Sequence, residues 1–112
     1  MVAKKYIPER GDLVWVSLTQ TRGHEQSGRR PAVVVSRKEY NEKSGLVLAC
    51  PVTSKVKGYP FEVCVSGEEI SGAILVDQVR SVDWQARGVT FAGIVKREDM
   101  EEILAKLRAL VQ

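Results

Sequence analysis

Residues 19–30 read Thr-Gln-Thr-Arg-Gly-His-Glu-Gln-Ser-Gly-Arg-Arg and hold the chain's one histidine, a carboxylate and three arginines. An imidazole beside a carboxylate can take up and return a proton near neutral pH, and a guanidinium can grip two phosphate oxygens at once. A second polar cluster, residues 51–60, offers the hydroxyls of Thr53 and Ser54 next to the ammonium groups of Lys55 and Lys57, all suited to phosphate oxygens. Asp77 and Gln78 form a third, wedged between the apolar residues 73–76 and Val79. Together these supply an acid or base in His24 or Glu25, a fixed cation in Arg30 and neutral donors in Thr53 and Ser54. That set suits phosphoryl chemistry without a metal. Two cysteines, no C-x-x-C and a single histidine leave no zinc set, and no carboxylate cluster suits magnesium. No metal or other cofactor is expected. Each cluster also has a plain structural reading: a solvated hairpin loop, a turn with incidental lysines, and a polar tie between loops.

Something must hold these clusters in place. The chain has 112 residues, 44% hydrophobic and 28% charged, which fits one globular domain over residues 1–112. Residues 13–18, rich in β-formers and preceded by Gly11-Asp12, predict a first strand. The apolar runs 31–35 and 46–50 predict buried strands, with a helical turn or long loop over 39–45 between them, ended by Gly45. Residues 61–65 alternate with period two, one face buried and one wet, and 73–76 and 89–95 add further short strands. Many short strands with turn signals between them indicate a mainly β fold, an antiparallel barrel or curled sheet. Met100, Ile103, Leu104, Leu107, Leu110 and Val111 fall on one stripe of helical period, with Glu98, Asp99, Glu101 and Glu102 in the first turns. A C-terminal amphipathic helix lying on the sheet is therefore expected, and a dimer would then be built from strand and loop surfaces.

The apolar runs stop far short of the about 18 residues of a membrane span. Lys4 and Lys5 are followed by Ile7-Pro8-Glu9-Arg10-Gly11-Asp12 where a secretory leader would be apolar. Both observations, with Cys50 and Cys64 read as reduced and buried, point to a cytoplasmic protein. The net charge is +3, but residues 1–97 carry 15 basic and 10 acidic side chains. Such a surplus permits an anionic partner, either nucleic acid or an acidic peptide.

Three blocks carry a specific resemblance. Gly11-Asp12-Leu13-Val14-Trp15-Val16 leads to Gly23-His24-Glu25-Gln26-Ser27-Gly28-Arg29-Arg30-Pro31, then Cys50-Pro51-Val52-Thr53-Ser54 with Lys57-Gly58-Tyr59-Pro60-Phe61-Glu62-Val63, then Asp77-Gln78-Val79-Arg80-Ser81 with Trp84-Gln85-Ala86-Arg87. In this order, over about residues 8–111, the chain resembles the MazF/PemK (Kid) toxins, and its length is that expected of a whole toxin of this kind. The resemblance implies an SH3-like antiparallel β-barrel with helices, working as a homodimer. It also implies the toxin of a type II toxin–antitoxin pair, a metal-independent, sequence-specific endoribonuclease (mRNA interferase) that cuts single-stranded RNA, inhibits translation and growth, and leaves a 2′,3′-cyclic phosphate and a 5′-hydroxyl. An antitoxin with an acidic C-terminal segment would silence it. The MazF branch carries its functional residues onto Glu25, Arg30 and Thr53. The Kid/PemK branch carries a histidine onto His24 and an aspartate onto Asp77, but its arginine position holds Leu75 here. That departure favours Arg30 and Thr53 and leaves open which of His24 and Glu25 is the base. Arg29, Ser54, Lys55, Lys57, Asp77, Gln78, Arg80 and Arg87 are the expected RNA contacts.

Two non-catalytic alternatives use the same kind of barrel. A CcdB-like topoisomerase poison relies on an aromatic-bearing C-terminal tail, whereas this chain ends Leu110-Val111-Gln112. A plain nucleic-acid-binding barrel needs clustered aromatics for stacking, and the seven here are scattered. Trp15, mid-strand among aliphatics, is expected in the core or a dimer interface. Trp84, in a polar stretch, is open to either a structural role or a partner or RNA contact.

Overall fold

In the computed structural model, which describes residues 5–17 and 28–112, the apolar β-formers pair into one curled antiparallel sheet. Seven strands are present among the described residues: β1 (Asp12–Ser17), β2 (Arg29–Val34), β3 (Leu46–Thr53), β4 (Glu62–Ser66), β5 (Ser71–Leu75), β6 (Arg80–Asp83) and β7 (Thr90–Ile94). Helix α1 (Lys38–Ser44) joins β2 to β3, and α2 (Arg97–Val111) closes the chain. The strand order is β4-β5-β3-β2-β1-β7, with β6 also on β3.

The long strand β3 organises the curl. Ala49 pairs with Val34 of β2 on one side and Arg80 of β6 on the other, while Val52 and Thr53 pair with Ile74 and Ala73 of β5. Strands β5 and β6 therefore share one edge of β3, end to end. A single 3₁₀ turn at Val76–Gln78 carries the chain from one to the other. This is why Asp77 and Gln78 interrupt an apolar run: they occupy the step between two strands.

Successive residues of β1, β2 and β3 are buried on opposite faces, so both sides of the sheet are covered. On one face Leu13, Val33, Cys50, Ile74 and Val76 pack with Met100 and Ile103 of α2. On the other Val14, Val16, Ala32, Val34, Val47 and Ala49 pack with Trp84. The mainly β architecture with a C-terminal helix is as expected from the residues. One detail of α2 differs, and the structure decides the place of the two tryptophans. The α2 stripe is shorter than its sequence period: Leu110 and Val111 are exposed, Val111 at 82%, because the helix outruns the sheet beneath it. Trp84 is buried and its indole N–H donates to the Asn41 carbonyl at 2.8 Å, so it belongs to the core and not to a partner surface. Trp15 is half-buried against the first cluster.

The thiols also part company. Cys50 is buried, whereas Cys64 is exposed on β4, and the two form no disulfide. Burial, with a smaller contribution from the Asp77 charge, pushes the Cys50 thiol up to about 12. At pH 8 Cys50 is thus protonated and inert, since the thiolate is the nucleophile. A disulfide reagent should consume one thiol per native chain and two after unfolding in denaturant, with Cys64 carrying the native label.

Candidate active site

Arg30 enters the sheet as the second residue of β2, opposite Val16 of β1. Beside it lies a hollow of about 190 Å³ with an apolar floor of Val16, Ala32, Ala49 and Pro51. Its polar lining comes from distant parts of the chain: Arg30, Gln78, Arg80 and Arg87, with Ser17 and Ser81. No carboxylate of the described residues lines it. Three guanidiniums around a low-dielectric floor make a positive site, where attraction to a phosphate is stronger than over open water. Arg87 is held by its own geometry, its guanidinium donating to the Ser17 carbonyl at 3.4 Å while its carbonyl accepts the Ser17 N–H at 3.2 Å. Arg30 is exposed and its side chain forms no hydrogen bond or ion pair with another described residue, which leaves its fork open to a ligand.

Thr53 ends β3. The register pairs Ala32 with Pro51, so alternation brings Arg30 and Thr53, each two residues further on, to the same face at the same end of the sheet. The Thr53 hydroxyl accepts the Lys55 N–H at 3.1 Å, a local turn that starts the loop carrying Ser54, Lys55 and Lys57. Gly72 seats Thr53 from the β5 side. A Cβ at Gly72 would collide with the Thr53 carbonyl oxygen, so only glycine lets the strands approach this closely.

Four expected residues, Arg30, Gln78, Arg80 and Arg87, thus meet in one hollow, with Thr53 at the same end of the sheet. Others are placed elsewhere. Arg29 precedes Arg30 by one residue and belongs to the opposite face of β2, where its guanidinium lies 4.9 Å from the Trp15 ring centroid. Trp15 in turn donates its indole N–H to Glu69 at 3.3 Å. Asp77 accepts the Tyr59 hydroxyl at 2.7 Å, and that bond is the main cause that raises the Tyr59 hydroxyl to about 12. Ser54, Lys55 and Lys57 are exposed on the loop before β4, outside the lining of the hollow. His24 and Glu25 lie outside the described residues.

Sequence reasoning missed Glu62, Tyr59, Ser17 and Ser81. Glu62 falls on the wet face of an alternating strand, yet it is 7% exposed because the preceding loop folds over it. No group of three or more histidine, cysteine or acidic side chains among the described residues could hold a metal ion. A larger hollow of about 600 Å³, lined by Tyr6, Asp12, Lys38, Phe91 and Ile94 beside β7, contains none of the expected site residues.

Residues 9–111 match the model of the PemK-like, MazF-like toxins of type II toxin–antitoxin systems. The chain is 48% identical over 110 residues to the endoribonuclease toxin MazF of Escherichia coli K12, covering 98% of this chain and 99% of that protein. It is 33% identical over 116 residues to the Escherichia coli endoribonuclease PemK, covering 99% and 87%. Among solved structures, MazF of the MazE–MazF assembly from Deinococcus radiodurans superposes with a TM-score of 0.84 at 41% identity, covering 95% of this chain and 97% of that one. With the order of the motifs, the curled sheet and these likenesses in agreement, the chain belongs to the PemK-like, MazF-like toxin family of type II toxin–antitoxin systems.

Proposed function

We propose that this chain, a single toxin domain over residues 1–112, is a metal-independent endoribonuclease that cuts single-stranded RNA and thereby arrests translation and growth. The observation that carries the reading is the hollow in which Arg30, Arg80, Arg87 and Gln78 converge, on the sheet face that also ends in Thr53. The relatives named above are endoribonucleases, which favours cleavage over a topoisomerase poison or a passive binder.

The reaction needs no activated water. A ribose 2′-OH attacks the adjacent phosphorus, the P–O5′ bond breaks, and a 2′,3′-cyclic phosphate and a 5′-hydroxyl remain. His24 or Glu25 takes the 2′-OH proton, and a proton is delivered to the departing O5′. Arg30 grips the phosphorane oxygens with two parallel N–H donors, and the Thr53 hydroxyl adds a neutral one. Gln78, Arg80 and Arg87 hold neighbouring nucleotides, with Ser54, Lys55 and Lys57 tracking the backbone from the adjacent loop. DNA is not a substrate, because it lacks the nucleophile.

The protein works as a homodimer in the cytoplasm; no helix among the described residues is long and apolar enough to cross a membrane. An antitoxin with an acidic segment competes with RNA for the same basic surface, as MazE accompanies MazF in the solved assembly. Incubated with a long RNA in excess EDTA, the purified protein should cut at defined sites and leave ends that a kinase labels without prior phosphatase treatment. Activity lost in chelator and restored by a divalent cation would overturn the mechanism.

A further inference from the structure

Glu62 poses a chemical question. It opens β4 on the face that solvent should wet, yet its side chain is buried and no lysine or arginine side chain pairs with it among the described residues. Its partners are backbone amides instead. The Lys57 N–H donates to Oε2 at 3.0 Å and the Gly58 N–H to Oε1 at 2.7 Å. Two successive amides converging on one anion form a nest, an arrangement that elsewhere recruits phosphate. Gly58, at φ +82°, supplies the left-handed turn that a side-chain-bearing residue rarely adopts. Here the nest is filled from within.

The same loop is tied at further points. The Glu62 N–H donates to the Tyr59 carbonyl at 3.1 Å, and the Tyr59 hydroxyl binds Asp77, the residue just before Gln78 of the hollow. The Lys106 ammonium of α2 donates to the Glu62 carbonyl at 3.1 Å and pairs with Glu102 at 3.0 Å. Backbone that is pinned this firmly presents Ser54, Lys55 and Lys57 without an ordering cost at the moment of binding.

We propose that the buried Glu62 carboxylate, by filling the Lys57–Gly58 amide nest, is the positioning residue that presets the loop 54–60 as an RNA-binding arm, with the Tyr59–Asp77 bond strapping that arm to the hollow. The proposal rests on the RNA-cleaving reading above. It assigns Asp77 to loop positioning, with no proton transfer of its own. The loop amides, being occupied, do not touch the substrate; its side chains do. Loss of the carboxylate therefore acts on RNA affinity and leaves the chemical step at Arg30 and Thr53 intact.

Glu62→Gln keeps the shape but sets its NH₂ against an amide N–H of the nest. The test is steady-state cleavage of a fluorophore–quencher RNA containing the site mapped for the wild type, alongside amide hydrogen exchange of residues 55–60. For Glu62→Gln, KM should rise roughly tenfold, the size expected on losing a charge-assisted hydrogen bond, with kcat within about twofold and faster exchange at Lys57 and Gly58. Tyr59→Phe removes the strap without touching the core and should raise KM about threefold, the scale of one exposed hydrogen bond. An unchanged KM in Glu62→Gln despite faster exchange would overturn the proposal, as would a fall in kcat with KM unaltered. Should Glu62→Gln not fold, Tyr59→Phe decides, an unchanged KM counting against the role. A wild type that cuts no RNA sinks the parent reading, and the role with it; a cutting wild type with unaffected variants sinks only the role.

Discussion

Replacing Arg30 by alanine should lower the RNA-cleavage rate at least roughly 100-fold, the typical loss when one transition-state donor is removed. The expectation rests on geometry: Arg30 is exposed, its side chain has no bond to another described residue, and it lines a hollow shared with Arg80 and Arg87 in which no carboxylate of the described residues takes part. Its cationic fork is thus open to a ligand. Arg30→Lys should recover little of the rate, because a point charge replaces two parallel donors. The loss should fall on kcat with the melting temperature unmoved, since nothing in the fold depends on the guanidinium. Single-turnover cleavage with saturating enzyme reads the chemical step directly. A variant cutting within threefold of wild type would move the reacting phosphate away from this hollow.

The largest effect on stability is expected at Asn41, far from the chemistry. Its side chain is fully buried; Nδ2 donates to the Pro8 carbonyl at 2.8 Å and to the Ser36 carbonyl at 3.2 Å, and Oδ1 accepts the Ser36 hydroxyl. The Ser36 oxygen accepts the Leu48 N–H at 2.9 Å, and the Asn41 carbonyl takes the Trp84 indole N–H. Asn41, through its side-chain amide and its backbone carbonyl, therefore joins the N-terminal segment, α1, β3 and the β6–β7 turn. Asn41→Leu has similar volume but strands two buried carbonyls, at a total cost of about 2–5 kcal/mol. Set against roughly 5–15 kcal/mol for a whole domain, that is a large share. Urea unfolding should show a lower midpoint at an unchanged m-value. A loss under about 0.5 kcal/mol, the level of an ordinary surface substitution, would mean that water satisfies these carbonyls as well as the amide does.

Much of this was legible in the residues. Strands β1, β2, β3, β4, β5 and β7 follow the apolar or alternating runs of the sequence, and α2 follows its helical period. Local propensity and burial agree there, so pattern suffices. Strand β6 was not legible: Arg80-Ser81-Val82-Asp83 has a single apolar residue, and its extended form comes from pairing with Leu46 through Ala49 of β3. The residues left Trp84 open between a structural role and a partner contact, and the fold decided for the first: its polar neighbours Asp83 and Gln85 stay outside while the indole turns onto the sheet. The last turn of α2 kept its apolar pattern without finding a surface to cover.

The site divides along the same line. By itself the sequence determined which side chains could do phosphoryl chemistry and, through the order of its motifs, the kinship of the chain. Those are properties of residue identity and spacing, and they need no coordinates. Tertiary structure alone decided that Arg30, Gln78, Arg80 and Arg87 share a hollow while Arg29 turns away to Trp15. It also decided that Asp77 and Glu62 bind the loop 54–60 from within. Strand register sets these outcomes. One residue of offset sends a side chain to the opposite face, and which strand lies next to which depends on contacts tens of residues apart, information that no local window of sequence contains.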